Sequence, residues 1–191
     1  ISLPIKKNVI TFNSMGLNEN IIKSFFFDIT NKELLEEHIN FIKPDFIFHL
    51  AAQSLVRYSY ENPIETFNTN VNGTMNILDC LRRINKKIST IIVTSDKCYY
   101  NDNSGREFVE SDKLGGYDPY SSSKACAEIL TNAYIKSFFN NSHYRIHSKS
   151  INTVRAGNVI GGGDWSKNRL FPDIYRAVQD NISIEIRNKS S

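Results

Sequence analysis

The strongest constraint on the fold is an alternation along the chain. Short runs rich in β-branched and aromatic residues are separated by longer segments with the apolar period of a helix. This order is typical of a parallel sheet whose strands are joined by crossover helices. The runs are nearly continuous in apolar residues, as expected for strands covered on both faces. The strand candidates are residues 22–27, 45–50, 89–94 and 150–154, with a weaker fifth at 183–187.

Four helices are predicted between these runs from apolar stripes and from residues that start or stop helices. Residues 31–42 have Thr30 or Asn31 as N-cap and Pro44 after the end. Residues 63–85 begin with a proline in the first turn and are predicted as one long helix. The other two helices are predicted over 121–139 and 171–178. Before the helix at 121–139, residues 101–119 include Gly105, Gly115 and Gly116 and form a predicted irregular loop, and loops of that length are usually functional.

The charge and the cysteine content exclude several classes of function. The formal net charge is +3, but Lys and Arg are scattered among 20 acidic residues, so no nucleic-acid surface is predicted. Cys80, Cys98 and Cys126 are odd in number and lack zinc-ligand spacing, so neither a disulfide frame nor a metal site is predicted, which fits a cytoplasmic protein. The longest apolar runs are far shorter than the roughly 18 residues of a membrane span, so no membrane partner is predicted.

The first candidate for chemistry is the pair Tyr120 and Lys124. The two residues are four apart where a helix begins, so their side chains lie on one face of it. A phenol with a pKa near 10 is a poor base at neutral pH, and a nearby ammonium group favours the phenolate. One Tyr and one Lys at this spacing are also expected by chance in a chain of this length, so the neighbouring residues must decide whether the pair is functional.

The context is a polar run at a predicted strand end. Ser95, Asp96 and Lys97 directly follow the strand predicted over 89–94, and the carboxyl ends of parallel strands are where such sheets bind ligands. An ordinary polar turn is the alternative, and the downstream Tyr–Lys pair favours the functional interpretation. His49 ends another strand, and a lone histidine there is more often a satisfied core residue than a catalyst.

Five motifs occur in the order found in a known family: FHLAAQSLV, NTNVNGTMNIL, TSDKCY, GGYDPYSSSK and RAGNVIGGGDW. With them the chain resembles the CDP-glucose 4,6-dehydratases, a family of extended short-chain dehydrogenase/reductases that supply deoxysugars for lipopolysaccharide. The lysine in Ser95-Asp96-Lys97, where the related dTDP-glucose enzymes have glutamate, resembles the CDP-sugar branch. The resemblance implies a Rossmann-like, doubly wound parallel sheet.

The resemblance also implies roles for individual residues. Tyr120 and Lys124 would be the catalytic pair, Ser95 would hold the C4 hydroxyl of the sugar, and NAD would take the C4 hydride. Asp96 and Lys97 would then be the acid and the base that eliminate water. Lys97 would have to be neutral for this role, which partial burial and the nearby Lys124 and NAD charges would favour.

Further binding residues follow from the same resemblance. Asp28 and Ile29 would hold adenine, and Ser54, Asn158 and Arg169 would face the nucleotide-sugar substrate. The remaining cofactor contacts would come from Leu50, Ala51, Ala52, Gln53 and Thr69, together with Tyr120 and Lys124.

The ends of the chain carry expectations of their own. Relative to the family, the glycine-rich strand–turn–helix that binds pyrophosphate should precede Ile1, and most of the substrate domain should follow Asn188. Residues 1–191 are therefore expected to be a partial NAD-binding domain, incomplete at the N-terminus, with the start of the substrate-binding region at about 155–191. The resemblance further implies a homodimer through the helices at 63–85 and 121–139.

Two alternatives remain open at this point. A nucleotide-sugar epimerase or a GDP-mannose-type dehydratase would use the same Tyr–Lys pair, although an epimerase has no need for both Asp96 and Lys97. A fragment that keeps the fold and its dimer-forming helices without catalysis is the alternative from another class.

Overall fold

The computed structural model of the protein describes residues 23–161 and 164–184. In chain order, its α-helices and strands are α1 (Lys32–Ile42), β1 (Phe46–His49), α2 (Val56–Glu61), α3 (Pro63–Phe67), α4 (Gly73–Arg83), β2 (Ile88–Ser95), α5 (Pro119–Phe138), α6 (Tyr144–His147), β3 (Lys149–Ala156) and α7 (Leu170–Gln179). A π-helical segment, Asn68–Asn72, joins α3 to α4, and single 3₁₀ turns occupy Asp96–Cys98 and Asn141–His143.

The sheet of the described residues has three parallel strands in the order β1-β2-β3. Phe46 lies opposite Ser89, and Ser95 lies opposite Ala156. The strands predicted at 45–50, 89–94 and 150–154 are therefore confirmed. Because all three strands run the same way, Ser95, Asp96 and Lys97 emerge at the same edge of the sheet as the residues that follow β3.

The other two strand predictions have different outcomes. The prediction of a regular strand over 22–27 is wrong for the residues of it that the structure describes, because only Phe26 among them takes part in a β-bridge. Burial still alternates there, with Phe27 and Ile29 buried and Phe26 51% exposed, so the segment covers the core with one face. Most of 183–187 lies outside the described residues, and residues 183 and 184 have no regular structure.

The expectation that every strand is covered on both faces is wrong for β1. Phe46 is 68% exposed and Phe48 is 62% exposed. Strands that follow one another across a sheet through right-handed connections place their crossover helices on one face. In the described part of the chain, the crossover helices α4 and α5 accordingly share one core cluster with β2 and β3, and α1, which precedes β1, packs in the same cluster.

The helix predictions are confirmed in position, with one interruption. Asn31 caps α1 by accepting a hydrogen bond from the Leu34 backbone N–H at 3.1 Å, and the helix ends at Lys43 in the left-handed conformation. The helix predicted as one piece over 63–85 is divided by the π-helical segment. The short helices α2 and α6 lack a full apolar stripe and were not predicted.

The chain divides into two compact units. Phe25–Asn158 forms the first, and the described residues from Val159 onward belong to the second. The core of the first unit lies between the sheet and its helices, with Leu35, Leu78 and Leu81 fully buried. No helix among the described residues is long and apolar enough to cross a membrane.

Candidate active site

The strand-end turn brings four of the predicted site residues together. The Lys97 backbone N–H donates to Ser95 Oγ at 3.2 Å, and Ser95 Oγ donates to Asp96 Oδ1 at 3.1 Å. The Lys97 ammonium lies 4.0 Å from Asp96 Oδ1 and donates to Asn158 Oδ1 at 3.5 Å. Ser95 ends β2, Asp96 and Lys97 follow it, and Asn158 follows β3, so the parallel register creates this cluster.

The cluster is open to solvent. The side chains of Asp96 and Lys97 are 48% and 41% exposed, whereas Ser95 is buried. The burial expected around a neutral Lys97 is therefore not supplied by the described residues.

The first turn of α5 places Tyr120. Asp118 is the N-cap and accepts from the Ser121 backbone N–H at 2.9 Å, and Pro119 occupies the first helical position. The Tyr120 backbone N–H donates to Ser59 Oγ of α2 at 3.2 Å. Tyr120 itself is 9% exposed. Ser59, which the sequence analysis did not single out, therefore fixes the start of the helix from outside it.

Lys124 is buried one turn further along α5. Its ammonium donates to the Val93 backbone carbonyl of β2 at 3.2 Å. Burial lowers the pKa of Lys124 to about 8, against its ordinary 10.5, because it disfavours the charged form. A lysine in this state can carry or release a proton near neutral pH.

His49 is a buried neighbour of that lysine. Burial and the charge of Lys124 lower the pKa of His49 to about 4, so the imidazole is neutral at physiological pH. Its Nε2 lies 3.1 Å from Thr74 Oγ1, whose hydroxyl donates to the Asn70 carbonyl. The hydroxyl must therefore accept, which assigns the proton to Nε2. His49 has the contacts of a satisfied core residue.

The loop after β1 is held by a residue that the sequence analysis missed. Asn70, in the π-helical segment, accepts from the Gln53 backbone N–H at 2.8 Å and donates to the Gln53 carbonyl at 3.0 Å. It also donates to Ser123 Oγ of α5 at 2.8 Å. Asparagine disfavours helix interiors, so the three asparagines of the Asn68–Asn72 segment were the available signal.

A cavity of about 550 Å³ lies beside α3 and the π-helical segment. Asp28 and Thr69, both predicted to contact the cofactor, line it, and Asp28 Oδ1 accepts from the Thr30 N–H and hydroxyl. The side chain of Ile29, which was also predicted to hold adenine, is 8% exposed and packs in the core. It lies so close to Gly73 that a Cβ there would be 2.7 Å from Ile29 Cγ2. The backbone of Ile29 is thus the part that could reach a ligand.

The remaining predicted residues fall in different places. Leu50 is 66% exposed, Ser54 is also exposed, and Ala51 and Ala52 are partly buried along the same loop. Arg169 belongs to the second unit, where its Nε lies 3.7 Å from Asp164 Oδ2. In residues 23–161 and 164–184, no group of three His, Cys, Asp or Glu side chains could hold a metal ion.

A comparison of the sequence with known families shows which family the chain belongs to. Residues 8–156 match the sequence profile of the family described as GDP-mannose 4,6-dehydratase. The chain belongs to this family. The matched part contains the whole three-stranded sheet and all five residues predicted to be catalytic.

Individual relatives narrow the comparison. A CDP-glucose 4,6-dehydratase of Salmonella typhimurium is 47% identical over 184 residues, which cover 94% of this chain and 50% of that protein. A UDP-glucose 4-epimerase of Mycoplasma genitalium is 27% identical over 90% of this chain and 52% of its own length. The chain thus spans about half the length of these curated relatives.

A solved structure confirms the fold. The crystal structure of a dTDP-glucose 4,6-dehydratase from Bacillus anthracis, in complex with NAD, superposes with a TM-score of 0.73 at 24% identity. The match covers 94% of this chain and 52% of that one. The predicted Rossmann-like α/β fold is therefore confirmed.

Proposed function

We propose that this protein is a nucleotide-sugar 4,6-dehydratase that converts CDP-glucose to its 4-keto-6-deoxy derivative with bound NAD. The observation that carries the proposal is the 47% identity to the Salmonella CDP-glucose 4,6-dehydratase over 94% of the chain. The cluster of Ser95, Asp96, Lys97 and Asn158 at the end of the sheet supports it.

The residues around the first strand fit NAD. The cavity holding Asp28 and Thr69 has the volume of a small-molecule site, and Asp28 brings a carboxylate that can accept from a ribose or an adenine amino group. The loop from Leu50 to Gln53 follows β1 at the ligand-binding edge of the sheet. Bound NAD would accept the C4 hydride and return it to C6.

Tyr120, Lys124 and Ser95 would act at C4 of the sugar. Lys124 would favour the phenolate of Tyr120, which would remove the proton from the C4 hydroxyl. Ser95 would orient that hydroxyl by turning its own O–H from Asp96 to the C4 oxygen of the sugar. Lys124 would also contact the ribose next to the nicotinamide.

Asp96 and Lys97 would remove water across C5 and C6. A carbonyl group at C4 acidifies the C5 proton, Lys97 takes that proton, and Asp96 gives a proton to the departing C6 hydroxyl. The two side chains are already within 4.0 Å of each other. Since both are about half exposed, bound substrate and cofactor would have to supply the burial that tunes them.

The proposal also covers substrate binding, location and assembly. Asn158 and Arg169 would bind the diphosphate of the substrate, Ser54 would face the sugar, and the substrate-binding region would begin near residue 155. We further propose a cytoplasmic homodimer through the helices at 63–85 and 121–139. Large apolar side chains exposed on those helices support it: Ile64, Met75, Ile129 and Phe138.

The test is an activity measurement on the protein expressed over its entire reading frame. CDP-glucose or dTDP-glucose is supplied with NAD, and the 4-keto-6-deoxy product is followed by its absorbance in alkali. Tyr120→Phe removes the proposed base, and Tyr134→Phe on the same helix is the matched control. We expect product from CDP-glucose, about a hundredfold or greater loss in Tyr120→Phe, and no comparable loss in the control.

Three outcomes would contradict the proposal. Product from dTDP-glucose alone would reject CDP-glucose as the substrate. Formation of a 4-epimer without loss of water would establish the epimerase alternative. No reaction with either sugar, while the protein remains folded by circular dichroism, would favour the non-catalytic alternative.

A further inference from the structure

A buried acid–base pair outside the proposed catalytic set joins three parts of the site. Glu128 lies on α5, one turn after Lys124, and is 4% exposed. Its Oε2 accepts from Arg155 Nη2 of β3 at 3.0 Å and from Thr153 Oγ1 at 3.0 Å. Its Oε1 accepts from the hydroxyl of Thr94, the residue directly before Ser95.

The ionic state of this pair is well defined. Burial by itself would raise the pKa of Glu128, but hydrogen bonds from Arg155 and Thr94 and the Arg155 charge outweigh burial and hold the pKa below its usual value. The pKa of Arg155 is raised by its hydrogen bond to Glu128. A carboxylate whose side chain is 5% exposed and a guanidinium group whose side chain is 17% exposed therefore face each other.

Arg155 also reaches the long loop of the site, residues 99–118. Its Nη1 donates to the Glu110 carbonyl at 3.0 Å, and its guanidinium group lies 4.7 Å from the centre of the Tyr99 ring. Tyr99 stacks on Phe108 with ring centres 4.7 Å apart. One guanidinium group thus contacts the start and the middle of the 99–118 loop.

The 99–118 loop closes against the proposed catalytic elements at both ends. The Gly115 backbone N–H donates to the Cys98 carbonyl at 2.8 Å, in the turn that contains Asp96 and Lys97. A Cβ at Gly116 would collide with the Cβ of Ser121, so the loop packs directly against the helical turn of Tyr120. The loop therefore contacts both the turn that contains Asp96 and Lys97 and the first turn of α5.

We propose that Glu128 and Arg155 are positioning residues that anchor the 99–118 loop to β2, β3 and α5, so that the strand-end turn and the Tyr120 helix keep one arrangement. The anchoring rests on the contacts above, whereas its effect on catalysis rests on the proposed function. No substrate or cofactor contact is assigned to either residue.

The test uses a substitution that keeps the charge. Arg155→Lys retains a positive charge. The single ammonium of lysine cannot donate to Glu128 and Glu110 at once as the planar guanidinium group does, and it cannot stack on the ring of Tyr99. Arg145→Lys, at an exposed position in α6, is the matched control. Glu128→Gln provides a second, isosteric variant if Arg155→Lys fails to fold.

The readout is limited trypsin digestion with the cleavage sites mapped by mass spectrometry. The 99–118 loop contains Arg106 and Lys113, which report its opening. We expect Arg155→Lys to accelerate cleavage at these two sites at least about fivefold over the native protein and the control, while cleavage elsewhere stays slow. Unchanged loop cleavage would overturn the proposal. So would an equal increase at every site in step with a lower Tm, since that result would show a general loss of stability.

A kinetic measurement separates this inference from the proposed function. In the protein expressed over its entire reading frame, Arg155→Lys should lower the rate of product formation from CDP-glucose, and Arg145→Lys should not. If the native protein makes no product but Arg155→Lys opens the loop selectively, the function fails and the anchoring stands. If the native protein is active and Arg155→Lys neither opens the loop nor slows the reaction, the anchoring fails alone.

Discussion

Two lysines of the first unit are buried in different surroundings. Lys124 is 7% exposed, and the described residues give its ammonium one backbone carbonyl, that of Val93. Lys149 is 2% exposed and donates to three carbonyls: those of Ile84, Lys86 and His147, at 2.8, 2.6 and 2.9 Å. Burial lowers the pKa of both lysines. A buried charge costs folding free energy unless polar groups surround it, so the two side chains should respond oppositely to replacement.

Replacing Lys124 by methionine should stabilise the fold while abolishing the proposed activity. Its folded pKa of about 8 lies below the ordinary 10.5, so the unfolded chain binds the proton more tightly between these values. The resulting penalty is fully present below pH 8 and disappears as the pH rises towards 10.5, and it is worth up to about 3 kcal/mol. Urea unfolding of the native protein and of Lys124→Met at pH 7 and pH 10 measures this penalty. Lower stability of Lys124→Met at pH 7 would contradict this account.

Replacing Lys149 by methionine should instead destabilise the fold by at least about 2 kcal/mol, because buried carbonyls lose their donor. These carbonyls lie at the end of α4 and just before β3, so the substitution should loosen that corner. Urea unfolding at pH 7 is again the measurement, and Lys124→Met is the matched control. Equal changes in unfolding free energy for Lys149→Met and Lys124→Met would show that the three carbonyl contacts of Lys149 do not stabilise the fold.

At the scale of elements, the interrupted helix between β1 and β2 determines how the site is held. Its π-helical segment directs Asn70 to both backbone groups of Gln53 and to Ser123 of α5. Directly after the segment, Gly73 lets α4 approach the chain at Ile29. π-Helical insertions are frequent at functional sites because they redirect side chains within a helix.

Gly73→Ala should destabilise the protein by about 1–3 kcal/mol, although alanine is the better helix former. The added methyl group would lie 2.7 Å from Cγ2 of Ile29, a β-branched side chain with little freedom to move away. Ile29→Ala should relieve the clash, so the double variant should lose less than the sum of the two single variants. Thermal unfolding of all four proteins completes the cycle. Additive effects would show that the two positions do not interact.

At the scale of the whole molecule, folding holds His49 neutral in a buried position beside a cation. The folded pKa of about 4 lies below the ordinary 6.5, with burial as the main cause. The unfolded chain therefore binds more protons between these two values, and stability must fall as the pH drops through that window.

His49→Asn should make the protein less sensitive to mild acid. Between pH 7 and pH 5, the native protein should lose about 2 kcal/mol of unfolding free energy through His49, and the variant should not. His143→Asn, at an exposed position, is the control. Identical pH slopes for the native protein and His49→Asn would contradict the assignment.

The order of elements was determined by the sequence alone, because the signals for it are local. Continuous apolar runs predicted β1, β2 and β3, and Asn31 and Pro63 stand where helices begin, since capping and proline geometry act within one turn. The same local order placed Ser95, Asp96 and Lys97 at a strand end. Their proximity to Asn158 then follows from the parallel register.

Only the tertiary structure decided which groups are buried and which are joined across the chain. The contacts of Asn70 with Gln53 and Ser123, and of Glu128 with Thr94 and Arg155, span 17 to 53 residues. The helix and strand propensities of neighbouring residues do not predict such contacts. The exposed face of β1 likewise depends on the side of the sheet to which the crossover helices go. Burial of Lys124 and His49 sets their pKa values, and burial is a property of the packed chain and not of any short stretch of sequence.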